Sequence, residues 1–160
     1  MESSKIKGIN HLLFSVSDLE TSVRFYEKVF AAKWLVKSEK TAYFDLNGIW
    51  LALNEEKNIQ RTQIHDSYTH IAFSIAQIDL PDWEAKLKAL GVKVLKGRKR
   101  HKGDKDSIYF SDPDGHKFEL HTGSVSDRLA YYQKEKPHLS FHQAHIEELL
   151  RKLRKRGETD

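Results

Sequence analysis

Apolar positions change period along this chain in a set order, and the order occurs twice. Residues 11–16 read His-Leu-Leu-Phe-Ser-Val, and residues 70–75 read His-Ile-Ala-Phe-Ser-Ile. Both follow His-x-x-Phe-Ser-β-branched, and both read as strands. A helical period comes after each. Leu19, Val23, Phe25, Tyr26, Val29 and Phe30 follow Ser17-Asp18, an N-cap candidate. Leu80, Trp83, Leu87 and Leu90 carry Pro81 near their start and Gly91 just past their end. Strand-like runs come next. Ala42-Tyr43-Phe44-Asp45 parallels Ile108-Tyr109-Phe110-Ser111, and residues 48–53 parallel residues 115–120. A turn, Asp45-Leu46-Asn47-Gly48 or Asp112-Pro113-Asp114-Gly115, joins these two runs in each half. Residues 92–95 supply the second strand of the second half.

Each half therefore reads β-α-β-β-β, over residues 5–56 and 66–122, with a polar linker at residues 57–65. The fold class is α+β, two paired βαβββ modules. One such module cannot bury its own apolar face, so two must pair, within one chain or between two. Beyond them, Ile146, Leu149, Leu150 and Leu153 fall at helical spacing in residues 142–160. Glu147 and Glu148 stand four residues before Arg151 and Lys152, which predicts a short amphipathic helix.

The departures from symmetry carry the chemistry. His11 and His70 are repeat-equivalent, near the starts of equivalent strands. At the equivalent late-strand position the halves differ: Ala52 in the first, Glu119 in the second. Paired sheets would bring two imidazoles and one carboxylate to one concave wall. That donor set leaves open positions on a divalent metal for substrate. The alternative is an ordinary buried hydrogen bond between one His and Glu119. The other histidines, His65, His101, His116, His121, His138, His142 and His145, show no such relation. His116, after Gly115, is expected to be exposed.

Composition narrows the choices. There are no cysteines, which excludes disulfides, thiolate metal sites and a cysteine nucleophile. The apolar share is low (39%) and the charged share high (31%), but three Trp, six Tyr and eight Phe in regular patterns argue for a packed core over disorder. No apolar run approaches the roughly 18–20 residues of a membrane span. Met1 to Lys5 lacks the apolar run of a secretory signal, so a soluble cytoplasmic protein is expected, with no membrane partner. The net charge is +4, with six Lys or Arg in residues 96–105 and five in 151–156. No helix-turn-helix, zinc finger or aromatic RNA signature accompanies them, so no nucleic-acid partner is expected. The basic stretch at 96–105 reads as a solvated turn or as a lip that attracts anionic ligands.

The repeat, the two histidines and the late glutamate resemble the vicinal oxygen chelate (glyoxalase) superfamily. Within it the chain is most similar to the fosfomycin-resistance metallothiol transferases of the bacillithiol-using, Gram-positive branch. Residues 8–16, 42–44, 48–56, 67–73, 107–123 and 127–132 carry this resemblance, which spans about residues 5–141. It implies a module-exchanged homodimer, with His11 from one subunit and His70 and Glu119 from its partner. It implies a divalent metal, Mn2+ or Mg2+, with Ni2+ or Zn2+ also suited to the site. It implies antibiotic resistance through transfer of a small anionic thiol, bacillithiol or L-cysteine, to the epoxide of fosfomycin. Glu119 and Tyr109 would be the catalytic residues. Arg128, Tyr109, Tyr68, Trp50, Tyr43, Arg98 and Asn54 would contact substrate, Arg128 from a binding segment at residues 123–141.

Other roles stay open. Trp50 and Tyr43 could be core residues, Tyr68 could cap the sheet edge, and Arg128 could pair with Asp127 or a neighbouring helix. Leu13 stands where some relatives carry Thr or Cys. An epoxide hydratase would place a carboxylate near residues 40–42, where Glu39 is the nearest acid. A drug-sequestering protein of the same fold would need no metal ligands, and a glyoxalase-type lyase would have a fourth in place of Ala52.

Overall fold

The protein, a computed structural model, is described over residues 8–62, 67–97 and 102–157. Strand β1 (His11–Val16) leads into helix α1 (Leu19–Phe30), then β2 (Lys33–Lys37), β3 (Thr41–Leu46) and β4 (Ile49–Glu55). The series repeats as β5 (Ile71–Ser74), α2 (Leu80–Ala89), β6 (Val94–Leu95), β7 (Ser107–Ser111) and β8 (Lys117–His121). Two helices follow, α3 (Val125–Glu135) and α4 (Gln143–Arg156).

The local reasons are visible. Asp18 caps α1 by accepting the Thr21 N–H at 2.7 Å, and that bond holds its carboxyl below the usual range. Ala31, at φ 53°, ends the helix in the left-handed region. In the second half the strand is shorter than residues 92–95. The Val92 N–H closes the end of α2 on the Leu87 carbonyl at 3.0 Å; the pairing with β7 begins with the Lys93 carbonyl, which accepts the Ser111 N–H at 3.1 Å, and runs through Val94 and Leu95.

Two four-stranded sheets result, ordered β1-β4-β3-β2 and β5-β8-β7-β6. In each, the first strand lies parallel to the last and forms one edge. Register shows the repeat residue by residue. Leu13 faces Ala52 and Ala72 faces Glu119, while Tyr43 faces Ala52 and Tyr109 faces Glu119. Ala52 and Glu119 therefore occupy equivalent places.

The helical period of α1 buries Leu19, Val23, Tyr26 and Val29 against Phe44, Leu51 and Leu53. The two modules meet through aromatic rings. Phe30 packs on Phe73, Phe110 and Phe118 at 5.3–5.7 Å between centroids. Helices thus cover one face of each sheet and leave the other open.

A buried polar latch accompanies that junction. The Asp112-Pro113-Asp114-Gly115-His116 turn sets its two carboxylates against the first module. Asp112 accepts from Tyr26 Oη (3.0 Å), His116 Nδ1 (2.8 Å) and the backbone N–H groups of Asp114 and His116. Asp114 accepts from the Ser17 N–H and Ser22 Oγ and pairs with Arg61 at 3.2 Å. His116 is consequently not exposed as the sequence suggested. Its side chain is 14% exposed, held by Asp112 and packed on Phe14 at 4.8 Å.

Burial, and then the Asp112 carboxylate, hold the Tyr26 phenol well above its ordinary pKa, so it remains a donor. Tyr26→Phe is expected to cost about 1.5–3 kcal/mol, because a hydrogen bond to a buried charge is lost. Thermal melting should fall by several degrees. An unchanged melting temperature would mean that the remaining donors satisfy Asp112 fully.

Candidate metal centre

Alternation along the strands gives each sheet an open face away from the helices. On the first sheet it carries His11, Trp50, Tyr43 and Asn54. On the second it carries Lys117, Glu119, His121, Ser107 and Tyr109, with His70 just before β5.

Glu119 is the centre of the second group, 6% exposed. Its Oε1 accepts from Tyr109 Oη at 2.8 Å and Ser107 Oγ at 2.5 Å. Its Oε2 faces His70 Nε2 at 2.9 Å. His70 Nδ1 lies 2.8 Å from the Tyr68 carbonyl oxygen. A carbonyl can only accept, so this bond places a proton on Nδ1. Nε2 then meets the carboxylate as two lone pairs face to face, unless a positive charge lies between them: a proton, or a cation. Two donors about 2.1 Å from one ion, at right angles, stand about 3.0 Å apart, which matches the His70–Glu119 spacing. An outer hydrogen bond on the far ring nitrogen is also the usual support of a metal-bound histidine. The residues present thus fit a divalent ion.

His11 carries the same preparation on the other sheet. Its Nδ1 lies 2.7 Å from Asn10 Oδ1, which leaves Nε2 for a ligand, and its ring rests on Trp50 at 4.6 Å. It is exposed, on an edge strand. Among the described residues of one chain, no three His, Asp or Glu side chains surround a single point. The chain brings His70 and Glu119 together and leaves His11 apart.

The other sequence candidates fall into three places. Tyr68, His70 and Tyr109 line a cavity of ≈ 240 Å³ with Leu95, Lys96, Gly97 and Lys117. The Tyr68 and Tyr109 hydroxyls stand 3.5 Å apart. Tyr43 and Trp50 pack edge to face at 5.3 Å on the first sheet, with Trp50 40% exposed and so not core. Asn54 accepts from Thr41 Oγ1 at 3.0 Å. Arg128 pairs not with Asp127 but with Asp104, which ends a short neighbouring 3-10 helix (Lys102–Asp104) before β7; its guanidinium lies over the Tyr132 ring at 5.6 Å. Asp127 instead forms a capping box with Ser124. Arg98 lies outside the described residues. A larger cavity, ≈ 510 Å³, opens between α1 and the α2–β6 connection and touches none of these residues.

Sequence reasoning missed Ser107, Lys117 and His121. Lys117 adds a cation to the cavity wall while its amine also donates to the Ser67 carbonyl. The signal for all three was their even spacing from Glu119 and Tyr109 on strands that alternate faces.

Comparison with known proteins agrees with this architecture. Residues 8–120 match the Glyoxalase/Bleomycin resistance protein/Dioxygenase superfamily. The metallothiol transferase FosB of Bacillus licheniformis is 80% identical over 149 residues, which cover 93% of this chain and 97% of that protein. The FosB of Lysinibacillus sphaericus is 61% identical over 85% of this chain and 96% of its own. A glutamate-to-glutamine mutant of the fosfomycin resistance protein FosX of Listeria monocytogenes, crystallised with Mn(II) and 1S,2S-dihydroxypropylphosphonic acid, superposes with a TM-score of 0.72 at 35% identity. That match covers 80% of this chain and 99% of the FosX chain. With four-fifths identity over almost the whole of a curated relative, and the superfamily match running through both modules, the chain belongs to the metallothiol transferase FosB family of the glyoxalase/bleomycin resistance protein/dioxygenase superfamily.

Proposed function

We propose that this protein joins a small thiol, bacillithiol or L-cysteine, to fosfomycin and thereby confers resistance to the drug. The observation that carries the reading is the His70–Glu119 pair, with His70 already fixed for donation through Nε2. The functional unit is a homodimer. His11 of one subunit completes the set that His70 and Glu119 begin on the other. The open edges β1 and β5, and the exposed Leu13 and Trp50 beside them, are the surfaces such pairing would cover. His11, His70 and Glu119 would hold Mn2+ or Mg2+, which would supply Lewis acidity for opening the epoxide.

The chain's own residues supply the rest. Fosfomycin is a phosphonate, and Lys96 and Lys117 give the cavity cations while Tyr68 and Tyr109 give it hydroxyl donors. Tyr109 serves twice, since its hydroxyl also steadies Glu119. Arg128 offers a planar fork, pre-set by Asp104 at the end of the basic loop. Trp50, Tyr43 and Asn54 of the partner form the opposite wall. The basic stretch at 96–105 attracts an anionic thiol and favours its thiolate. The thiolate sulfur then bonds to an epoxide carbon, the carbon–oxygen bond breaks, and the ring oxygen takes a proton from solvent, replacing the one the thiol gave up, to end as a hydroxyl. Such chemistry belongs with the small-thiol pool of the cytoplasm. No helix among the described residues is long and apolar enough to cross a membrane.

Mass spectrometry of fosfomycin incubated with the protein, Mn2+ and either thiol tests this directly. The expected product has the mass of drug plus thiol and disappears with a chelator. A product heavier by one water would overturn the transferase in favour of a hydratase. The structure gives that alternative little, because Glu39 sits exposed in the β2–β3 turn.

A further inference from the structure

Three side chains on neighbouring strands form a chain of hydrogen bonds that ends on Glu119. Ser107 Oγ lies 2.5 Å from Glu119 Oε1 and 2.7 Å from His121 Nδ1. His121 Nδ1 also lies 3.1 Å from the Asp106 carbonyl oxygen. The carbonyl only accepts, so the network assigns the proton to Nδ1. His121 then donates to the serine oxygen, and the single serine proton is left for the carboxylate. The order is His121 to Ser107 to Glu119, with the Nδ1 proton shared between the nearer Ser107 Oγ and the Asp106 carbonyl.

The first module holds the counterpart. Thr41 faces Asn54 across β3 and β4 as Ser107 faces His121 across β7 and β8. There the carboxylate position is Ala52, and the Thr41 hydroxyl donates sideways to Asn54 Oδ1 at 3.0 Å. The hydroxyl is common to both halves. Where a carboxylate is present it turns onto the carboxylate, and a donor stands behind it.

We propose that Ser107 is a positioning residue for Glu119, and that His121 acts by holding Ser107. This rests on the metal reading of Glu119 given above. A carboxylate on the end of a glutamate has free rotation about its last bonds. Two hydroxyls, Ser107 and Tyr109, fasten Oε1, and this turns Oε2 to the His70 side. Removing one of them frees the oxygen that must face the ion, and outer-shell losses of this kind weaken metal affinity by about 10–100-fold.

The test is Mn2+ affinity of the full-length protein, read from the electron paramagnetic resonance signal of free aqueous Mn2+, alongside thermal melting. Ser107→Ala is expected to weaken binding about ten-fold or more with melting retained, and Ser107→Thr, which keeps the hydroxyl, to restore it. His121→Ala should weaken binding in the parent protein and add nothing in the Ser107→Ala background, since it acts through the hydroxyl. Parental affinity in Ser107→Ala, or no rescue by Thr, overturns the proposal. An equal cost of His121→Ala in both backgrounds overturns the relay from His121. Glu119→Gln is the control. If it too binds Mn2+ normally, the metal reading fails and this proposal with it; if it alone loses Mn2+, only the role of Ser107 fails.

Discussion

Glu119→Gln should abolish turnover while leaving the protein folded. Glutamine has the volume of glutamate, and its amide oxygen can still accept from Tyr109 and Ser107, which now meet Oε1 at 2.8 and 2.5 Å. The buried place is therefore filled and its donors are satisfied. The other end changes sign. An NH2 group replaces the oxygen 2.9 Å from His70 Nε2, and it has no lone pair for a cation. Loss of an anionic ligand from a site that stabilises developing negative charge is worth several kcal/mol, and about 4 kcal/mol is three orders of magnitude in rate. Turnover with fosfomycin and bacillithiol should fall at least that far, with circular dichroism unchanged and Mn2+ no longer retained through gel filtration. A variant that keeps its metal and its rate would remove Glu119 from the centre.

How far that centre could be read beforehand follows from the kind of signal each residue gives. His11, His70 and Glu119 stood out because a repeat supplies its own reference: two positions agree and the third does not. The register of Leu13 with Ala52 and of Ala72 with Glu119 is the physical content of that comparison. The βαβββ order was legible for the same reason, since strand and helix periods alternate twice. Ser107 and His121 gave no such contrast. A serine on a strand and a histidine two residues past a carboxylate are ordinary on a half-open sheet. Their meaning depends on a cross-strand pairing that only register supplies. Arg128 illustrates a different limit. Its partner Asp104 lies 24 residues away in a 3-10 helix of three residues, too short for periodicity to report on contact. His116 was misjudged because a turn residue is exposed by default, and only the meeting of the two modules buries it against Phe14.

A mixture of two inactive variants should regain activity, and this is the sharpest consequence of His11 standing alone. His11→Ala removes the ligand that the first sheet offers, while Glu119→Gln disables the second. In the proposed homodimer, each variant alone is then broken at both centres. In a mixed dimer built by module exchange, one centre receives both substitutions together, whereas the other receives His11 from one chain and Glu119 from the other, both intact. Random exchange of subunits makes half of all dimers mixed, so about a quarter of all centres become whole. Rate and Mn2+ stoichiometry should both return to about that fraction after the two variants are mixed, unfolded together and refolded. If His11 instead met His70 and Glu119 of its own chain, no mixture could assemble an intact set, and the activity would stay at the level of the single variants. The geometry favours recovery. Within one chain the aromatic junction of Phe30 with Phe73, Phe110 and Phe118 commits the covered faces of the two modules to each other. The edges at β1 and β5, beside His11 and His70, stay open, as the proposed exchange requires.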